Sequence, residues 1–543
     1  MQCNSQAPSR RSFLKGAGIA LAGTAAFGMA ACSPKQAGSA AKGSDGANTK
    51  WDEEFDIVVV GAGIAGQSAA ITVALEGEKA TCLLAEKEKN GPGGNSPFCK
   101  GTIVYAKDEE AFFQYMKEMA GPHSTTPDDV LRAYAKGAVE NFPWVFSTLG
   151  AVQEEALVIE PVEPGSLGNT PEWPEYEHCW SLGKFAVGKA KDKTINGAKH
   201  VTELLDNIIA SHDTITYRKG AALTDLIQDP ATKRILGAVV GGKNVRARKG
   251  VIMCTGGFES NPTMMENYIG MGGAFPAAAQ ANTGDGHRAC LKIGADFWHM
   301  EHCAGFWMAG RDLENKQFTN NQIITPCPKQ FGITVGVNGR RYYMDWDGYS
   351  NKSKNIPYRG DASLYVGSRH GHTQVGGAWP HIIHPATGWF VFDQAGLEAG
   401  AIPGCTDPVE KKYAHSANSI EELAEKMGVP ADELATTVSR WNECCEKGED
   451  IFFQRPAEFM QSVSKPPYYA QLAAPAFLNT DGGPVRNAEG RILDPDGKPI
   501  PGLYSAGEFG SVWSGVYQGG GNVAECMIFG RISARSALAE SAS

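Results

Sequence analysis

The feature that most constrains this chain is one contiguous string near its start. Asp56–Val60 is a short, β-branched apolar run, the pattern of a parallel strand buried on both faces. It leads directly into Gly61-Ala62-Gly63-Ile64-Ala65-Gly66. Gln67–Glu76 then reads as an Ala-rich helix, and a second apolar run, Ala80–Ala85, ends at Glu86. Glu86 stands 20 residues after Gly66. Strand, G-x-G-x-x-G, helix, strand and acid, in that order, predict a dinucleotide-binding unit in a parallel α/β sheet. Each part has a physical task. Gly61 allows the tight turn, Gly63 lets backbone approach a pyrophosphate, and Gly66 lets helix and strand pack closely. The helix N-terminus favours the phosphate charge, and Glu86 accepts hydrogen bonds from a ribose.

Further segments extend the site. Gly91–Ser96 is a second glycine-rich loop soon after the acid, placing Gly93, Gly94 and Asn95 beside the cofactor. A longer cofactor passes more backbone, which favours FAD over NAD. Lys249–Phe258 runs an apolar strand into Thr255-Gly256-Gly257, and Gly502–Glu508 runs another into Gly507-Glu508. Three separated strand-to-glycine segments predict an FAD fold that is split along the chain and reassembles in space.

Composition removes several classes. With 42% hydrophobic and 20% charged residues, the 543-residue chain can bury a sizeable core, so bulk disorder is excluded. A net charge of −10 offers no basic surplus for nucleic acid. No ordinary transmembrane run of 18 or more apolar residues occurs.

The first fifty residues read as an address. Ser9–Lys15 is Ser-Arg-Arg-Ser-Phe-Leu-Lys, followed by the uncharged Gly/Ala-rich stretch 16–31, the pattern of a twin-arginine export signal. Met29-Ala30-Ala31-Cys32 resembles a lipoprotein cleavage site, with Cys32 as the lipidated terminus in the cell envelope. Residues 33–50 read as a flexible tether. The 13 cysteines have scattered spacings without C-x-x-C, so they are expected to be mostly reduced, and the chain has no c-type haem motif. His370, His372, His381 and His384 lack zinc spacing, so no metal site is expected.

Residues 51–543 resemble the flavoprotein subunits of the fumarate reductase and succinate dehydrogenase superfamily. The resemblance rests on GAGIAGQSAA (61–70), GPGGNS (91–96), TGGFESNP (255–262), NTGDGHRACLKIGA (282–295), NGRRYY (338–343), KPPYYA (465–470), TDGGPVRNAEGRILD (480–494), PIPGLYSAGE (499–508) and GGGNVAECMIFGRISARSA (519–537). It implies a split Rossmann-like FAD-binding domain with an inserted α+β capping domain. The expected boundaries are 1–32 for the signal, 33–50 for the linker, 51–300 and 479–543 for the FAD domain, and 301–478 for the cap. It adds Asp285 and Asn522 to the cofactor residues. The FAD is expected to be noncovalent, since no histidine stands beside the first glycine loops.

The departures from that family speak about substrate. Tyr349 stands where the family's proton-donating arginine is expected, Asn479 where a substrate histidine is, and Gln518 where a second substrate arginine is. The cap histidine falls near Phe306. Losing these groups removes the charge-assisted grip that a dicarboxylate needs. A neutral or weakly charged substrate follows, with Trp298, Phe306, Trp307, Trp346 and Trp379 as candidate pocket walls.

The replacements are similar to the 3-ketosteroid dehydrogenases. That likeness gives Tyr349 a part in proton transfer. It has Tyr517 and the Gly521 N–H bind a ketone oxygen. Arg340 and Arg341 are expected to pin a local turn and the FAD domain. The resulting expectation is an FAD-dependent reductase that passes hydride from flavin N5 to an activated C=C bond. Its electrons come from a separate membrane partner, a quinol-oxidising cytochrome. The rival readings are a ketosteroid-type dehydrogenase, a reductase of an unsaturated acid anchored by Arg311, Arg359 or Arg369, and an envelope electron-relay flavoprotein.

Overall fold

Ile57 and Val59 face one side of a sheet, Val58 and Val60 the other, and all four are buried. This is why the run reads as continuously apolar: side chains alternate across a strand, and both faces are covered. The computed structural model describes residues 49–91, 93–122, 124–160, 171, 173, 176–188, 197–271, 275–276, 278–314, 331–341, 388–402, 404–453, 455–513 and 517–542.

In chain order the strands used below are β1 (Glu53–Val60), β2 (Cys82–Glu86), β3 (Ile215–Lys219), β4 (Leu223–Gln228), β5 (Ile235–Val240) and β6 (Lys243–Met253). They continue as β7 (Cys303–Arg311), β8 (Gly332–Val335), β9 (Gly388–Asp393), β10 (Ala414–Ala417), β11 (Tyr468–Thr480), β12 (Arg491–Leu493) and β13 (Pro499–Ser505). The helices are α1 (Ile64–Glu76), α2 (Glu109–Ala120), α3 (Asp128–Pro143), α4 (Asp285–Lys292), α5 (Ile420–Met427), α6 (Ala431–Lys447) and α7 (Gly521–Leu538).

The first sheet has eight strands in the order β12-β13-β6-β1-β2-β3, with the β4–β5 hairpin joined to β6. Val58 pairs in parallel with Leu83 on β2 and with Val251 on β6, and Leu503 on β13 pairs in parallel with that same Val251. Strands about 250 residues apart in the chain (251 and 503) thus lie side by side. The expected α/β fold, split along the sequence and rejoined in space, is what forms. α1, α3 and α7 cover one face, with Ile71, Tyr134 and Ile528 in that core. The hairpin and α4 cover the other, with Ala238 and Cys290. None of the ten described cysteines is in a disulfide.

A second sheet is built around β11. It pairs antiparallel with β7, β9 and β10, and β8 adds to β9. Behind it, α5 and α6 bury Leu423, Leu434 and Trp441 against Ile333 and Val391. Ser419 caps α5 by accepting the Glu422 N–H at 3.1 Å, and α5 ends at Gly428 in the left-handed region. Arg340 pairs with Glu433, and Arg341 with the fully buried Asp450. The Arg341 guanidinium also lies over Trp441 and Phe453 at 4.8 Å. The turn carrying both arginines is therefore held to α6 and the loop after it. The C-terminal end of β11, still paired with β7, carries Asn479 and Thr480 to the site below.

Candidate active site

The first glycine loop has the expected geometry. Gly61 has φ +97°, and a Cβ there would stand 2.2 Å from the Cys254 carbonyl oxygen. A Cβ on Gly66 would stand 1.8 Å from the Gly61 oxygen. Both positions therefore exclude any side chain. Gly63 is different: the nearest atom to a Cβ there is Ser96 Oγ at 3.0 Å. That serine hydroxyl accepts the Ile64 N–H at 2.9 Å, so the second loop caps the start of α1. The amides of a first helical turn have no partner within the helix, and here they point where a phosphate is expected.

Glu86 is buried at the end of β2, and its carboxylate accepts the Ala62 N–H at 3.0 Å and the Glu88 N–H at 2.9 Å. Gly93 lies directly against that carboxylate. At the edge, Asp285 pairs with Lys87 at 2.7 Å, which holds its carboxyl below the usual range despite partial burial.

The other cofactor residues converge on a carboxylate that sequence reasoning did not single out. Glu259 is 1% exposed. It accepts from Asn95 Nδ2 at 2.8 Å, Asn282 Nδ2 at 2.6 Å and the Thr480 hydroxyl at 3.2 Å. Asn95 Nδ2 also donates to Glu508 at 3.1 Å. One acid thus ties the 93–95 loop, the Thr255-Gly256-Gly257 turn, the end of β11 and the Gly507-Glu508 turn together. Burial raises the pKa of Glu259, and burial with the charge of Glu259 raises that of Glu508. The signal in the sequence was an acid directly after a buried glycine turn, in Gly-Gly-Phe-Glu.

These residues fit FAD. Thr255 Oγ1 and Asn522 Oδ1 are buried without a hydrogen-bond partner among the described residues. Buried polar atoms are normally satisfied, and a ligand is one partner that does so.

The substrate-side positions form a second cluster. Tyr517 is buried, and its ring stands edge-on to Trp513 at 5.4 Å. Its phenol oxygen accepts the Gly520 N–H at 3.2 Å and the Asn522 N–H at 3.3 Å. The Gly521 N–H, expected to join the Tyr517 hydroxyl on a ketone oxygen, is already engaged within the chain. That N–H donates to the Gln518 carbonyl at 2.7 Å, because Gly520, at φ +88°, turns the chain back into α7. The two amides flanking Gly521 meet the phenol instead. The Gly521 carbonyl is held by the Tyr134 hydroxyl at 2.9 Å.

Gln518 is fully buried, and its side-chain carbonyl accepts from Tyr115 at 2.8 Å. Asn479 donates to Asp481 at 2.8 Å and accepts from Asn522 at 3.4 Å. Asp481 is 2% exposed, and burial together with the nearby Glu525 raises its pKa well above the usual range. Trp298 is buried and stacks on His299 at 4.5 Å. Arg311 is buried at the end of β7, opposite Leu472.

A buried pair, Arg486 with Glu525, fixes the loop between Glu508 and Tyr517. Glu525 accepts from Ser511 Oγ at 2.7 Å and the Val512 N–H at 2.9 Å, and Arg486 donates to the Gly507 carbonyl at 3.2 Å.

Tyr349, Trp346, Trp379, Arg359, Arg369, the four histidines 370–384 and the export segment with Cys32 lie outside the described residues. Trp307 is placed by backbone register alone, on β7 opposite Ala476, and Phe306 falls at an irregularity of that register.

Comparison with known proteins agrees with this geometry. Residues 56–523 match the FAD binding domain family. The chain is 28% identical to digoxin reductase of Eggerthella lenta, over 98% of this chain and 97% of that protein. It is 32% identical to 3-oxosteroid 1-dehydrogenase of Mycobacterium tuberculosis, over 53% of each chain. A flavocytochrome c3 fumarate reductase, solved in an open conformation, shares the fold with a TM-score of 0.65 and 22% identity, over 90% of this chain and 78% of that one.

Proposed function

The chain belongs to the FAD binding domain family, and on that premise we propose that it reduces an activated C=C bond in a neutral substrate such as an enone. It is an FAD-dependent oxidoreductase acting on CH–CH bonds. The observation that carries the finer reading is the pair of buried neutral amides, Gln518 and Asn479, in place of an arginine and a histidine. Asn479 is hydrogen-bonded to the buried acid Asp481, and Gln518 to Tyr115. A dicarboxylate at these two positions would meet another carboxyl group and two amides in place of the arginine and histidine that would offset its desolvation.

FAD, when bound along Gly61–Gly66, Glu86, Gly93–Asn95, Thr255–Gly257 and Gly507–Glu508, supplies hydride-level, two-electron exchange with the substrate's β-carbon. The chain's own residues do the rest. The two N–H bonds on the Tyr517 oxygen polarise its O–H and make it a stronger donor. Aimed at an enone carbonyl, that donor stabilises the enolate that forms on reduction. Tyr349 supplies the α-carbon proton. Trp298 and Trp513 give the site an apolar, water-excluding wall.

The reductive direction matches the relative that aligns over nearly the whole chain. The 3-oxosteroid relative supports the reverse reaction on the same wall, so the electron acceptor decides between them. The reading includes export by the twin-arginine route, a lipid on Cys32, noncovalent FAD, and electrons from a membrane quinol-oxidising cytochrome. The absence of a C-x-x-C-H motif supports a separate donor.

The test is anaerobic reoxidation of the viologen-reduced, FAD-loaded protein by a 4-ene-3-ketosteroid, a cinnamate-type acid or fumarate. Turnover of the enone alone, lost in Tyr349→Phe, is expected. Turnover of fumarate at a comparable rate would overturn the neutral-substrate reading.

A further inference from the structure

His302 is 6% exposed, and neither ring nitrogen has a hydrogen-bond partner among the described residues. A buried imidazole left this way calls for a physical reason, because each unmet buried group costs about 1–3 kcal/mol. Its neighbour shows the contrast. His299 Nδ1–H donates to the Ser511 carbonyl at 2.8 Å, and Nε2 accepts from the Thr125 hydroxyl at 3.0 Å. His299 is committed to holding a loop, whereas His302, whose ring centre is 5.7 Å away, is not.

Its position is specific. The His302 carbonyl accepts the Asp481 N–H at 2.9 Å, and the next residues, Cys303 and Ala304, pair opposite Thr480 and Asn479. His302 therefore adjoins the substrate wall. On its other side stands Glu301, whose side chain is 65% exposed, with Oε1 3.6 Å from His302 Nε2. That gap is too long for a direct hydrogen bond and is closed by a small rotation or one bridging water. A solvent-exposed carboxylate thus stands at a buried imidazole whose main chain is bonded to the substrate wall.

We propose that Glu301 and His302 form the proton entry of this site, resupplying the group that protonates the substrate. The proposal rests on the C=C reductase reading. Saturating one C=C bond adds two electrons and two protons, so a site closed to water needs a proton route. In each passage the Glu301 carboxyl gives a proton to Nε2, and Nδ1 releases its own on the far side of the ring. Only O–H and N–H bonds are exchanged, and no oxidant or reductant enters. The titratable groups at the ring are Glu301 and His299. Burial lowers the His302 pKa, with the Glu301 charge opposing, so the ring rests neutral with one N–H and one lone pair.

The experiment uses the full-length, FAD-loaded protein reduced with viologen. Two acceptors are compared: a 4-ene-3-ketosteroid, which needs protons, and ferricyanide, which does not. His302→Ala should slow enone reduction by about 100-fold and leave ferricyanide reoxidation within about twofold. Added imidazole should restore much of the enone rate, a rescue that a merely structural role would not show. Glu301→Gln should slow the enone reaction less, and most steeply at high pH. An unchanged enone rate, equal losses with both acceptors, or no imidazole rescue would overturn the proposal. A wild-type protein that reduces no enone would defeat the reductase reading on its own account. The entry would then be judged by indicator-dye proton uptake as the bound FAD is reduced, and uptake as fast in His302→Ala as in wild type would overturn it.

Discussion

The cofactor cradle and the substrate wall adjoin at Asn479 and Thr480 but are specified in opposite ways. The glycine turns of the cradle are written in backbone. Gly61 and Gly66 are fixed by carbonyl oxygens that would stand 2.2 and 1.8 Å from any Cβ. Glu86 is held by main-chain amides. The wall is written in side chains. Tyr517, Asn522, Asn479 and Asp481 form one hydrogen-bonded run, and Gln518 is fixed from another element by Tyr115. A backbone cradle tolerates almost no change and serves one cofactor. A side-chain wall can exchange arginine and histidine for amide and phenol on the same scaffold, and with them its substrate.

The largest expected effect breaks the cradle. Gly66→Ala drives a methyl into the Gly61 carbonyl, which backbone rather than a flexible side chain must absorb. It should destabilise the protein by about 3 kcal/mol or more and reduce FAD content in the purified protein to background. Normal flavin occupancy would contradict the geometry.

Breaking the wall should spare the cofactor. Tyr517→Phe leaves the Gly520 and Asn522 amides facing an apolar ring edge. A stability loss of about 1–3 kcal/mol is expected from the two unmet donors. FAD content should hold, while enone reduction falls by about 100-fold. Loss of FAD in this variant would merge the two regions that the account separates.

The buried acids between the regions give a pH test. Asp481, Glu259 and Glu508 have raised pKa values, burial being the main cause for each. Folded, each holds a proton where the unfolded carboxyl, with its ordinary value of 3.8 or 4.5, has lost it. Their stabilising contribution is complete below those ordinary values and is lost as pH rises through the folded ones. Thermal stability of the apoprotein should therefore fall from mildly acidic to neutral pH, and Asp481→Asn should flatten part of that slope. An identical slope in the variant would place the titration elsewhere.

The smallest effect lies outside both regions. Arg340 and Glu433 form an exposed pair, and Arg340→Ala should leave Tm and turnover unchanged within error. Arg341→Ala removes the partner of the fully buried Asp450 and should lower Tm clearly.

The same contrast explains what the sequence reveals. The cradle was legible because glycine at fixed spacing after an apolar strand has few uses, and the run from Asp56 to Glu86 folds as read. The joining of β13 to β6 was legible for the same reason. The wall was legible only in its departures. Tyr517, Asn479 and Gln518 were located by alignment to motifs, but who donates to whom depends on a turn at Gly520 that no spacing encodes. That is why the Gly521 N–H was read as a substrate donor although it is bonded to the Gln518 carbonyl. Glu259, Asp481 and His302 were passed over because an acid or a histidine in a string announces nothing until burial and partners are known.

The central claim is that this wall accepts a neutral enone and refuses a dicarboxylate. Titrating the oxidised, FAD-loaded protein and following the flavin absorption spectrum tests it most directly, without electrons or a donor. The account predicts a saturable spectral shift with a 4-ene-3-ketosteroid at micromolar concentration and none with fumarate at millimolar concentration. Saturable binding of fumarate with no response to the enone would contradict it.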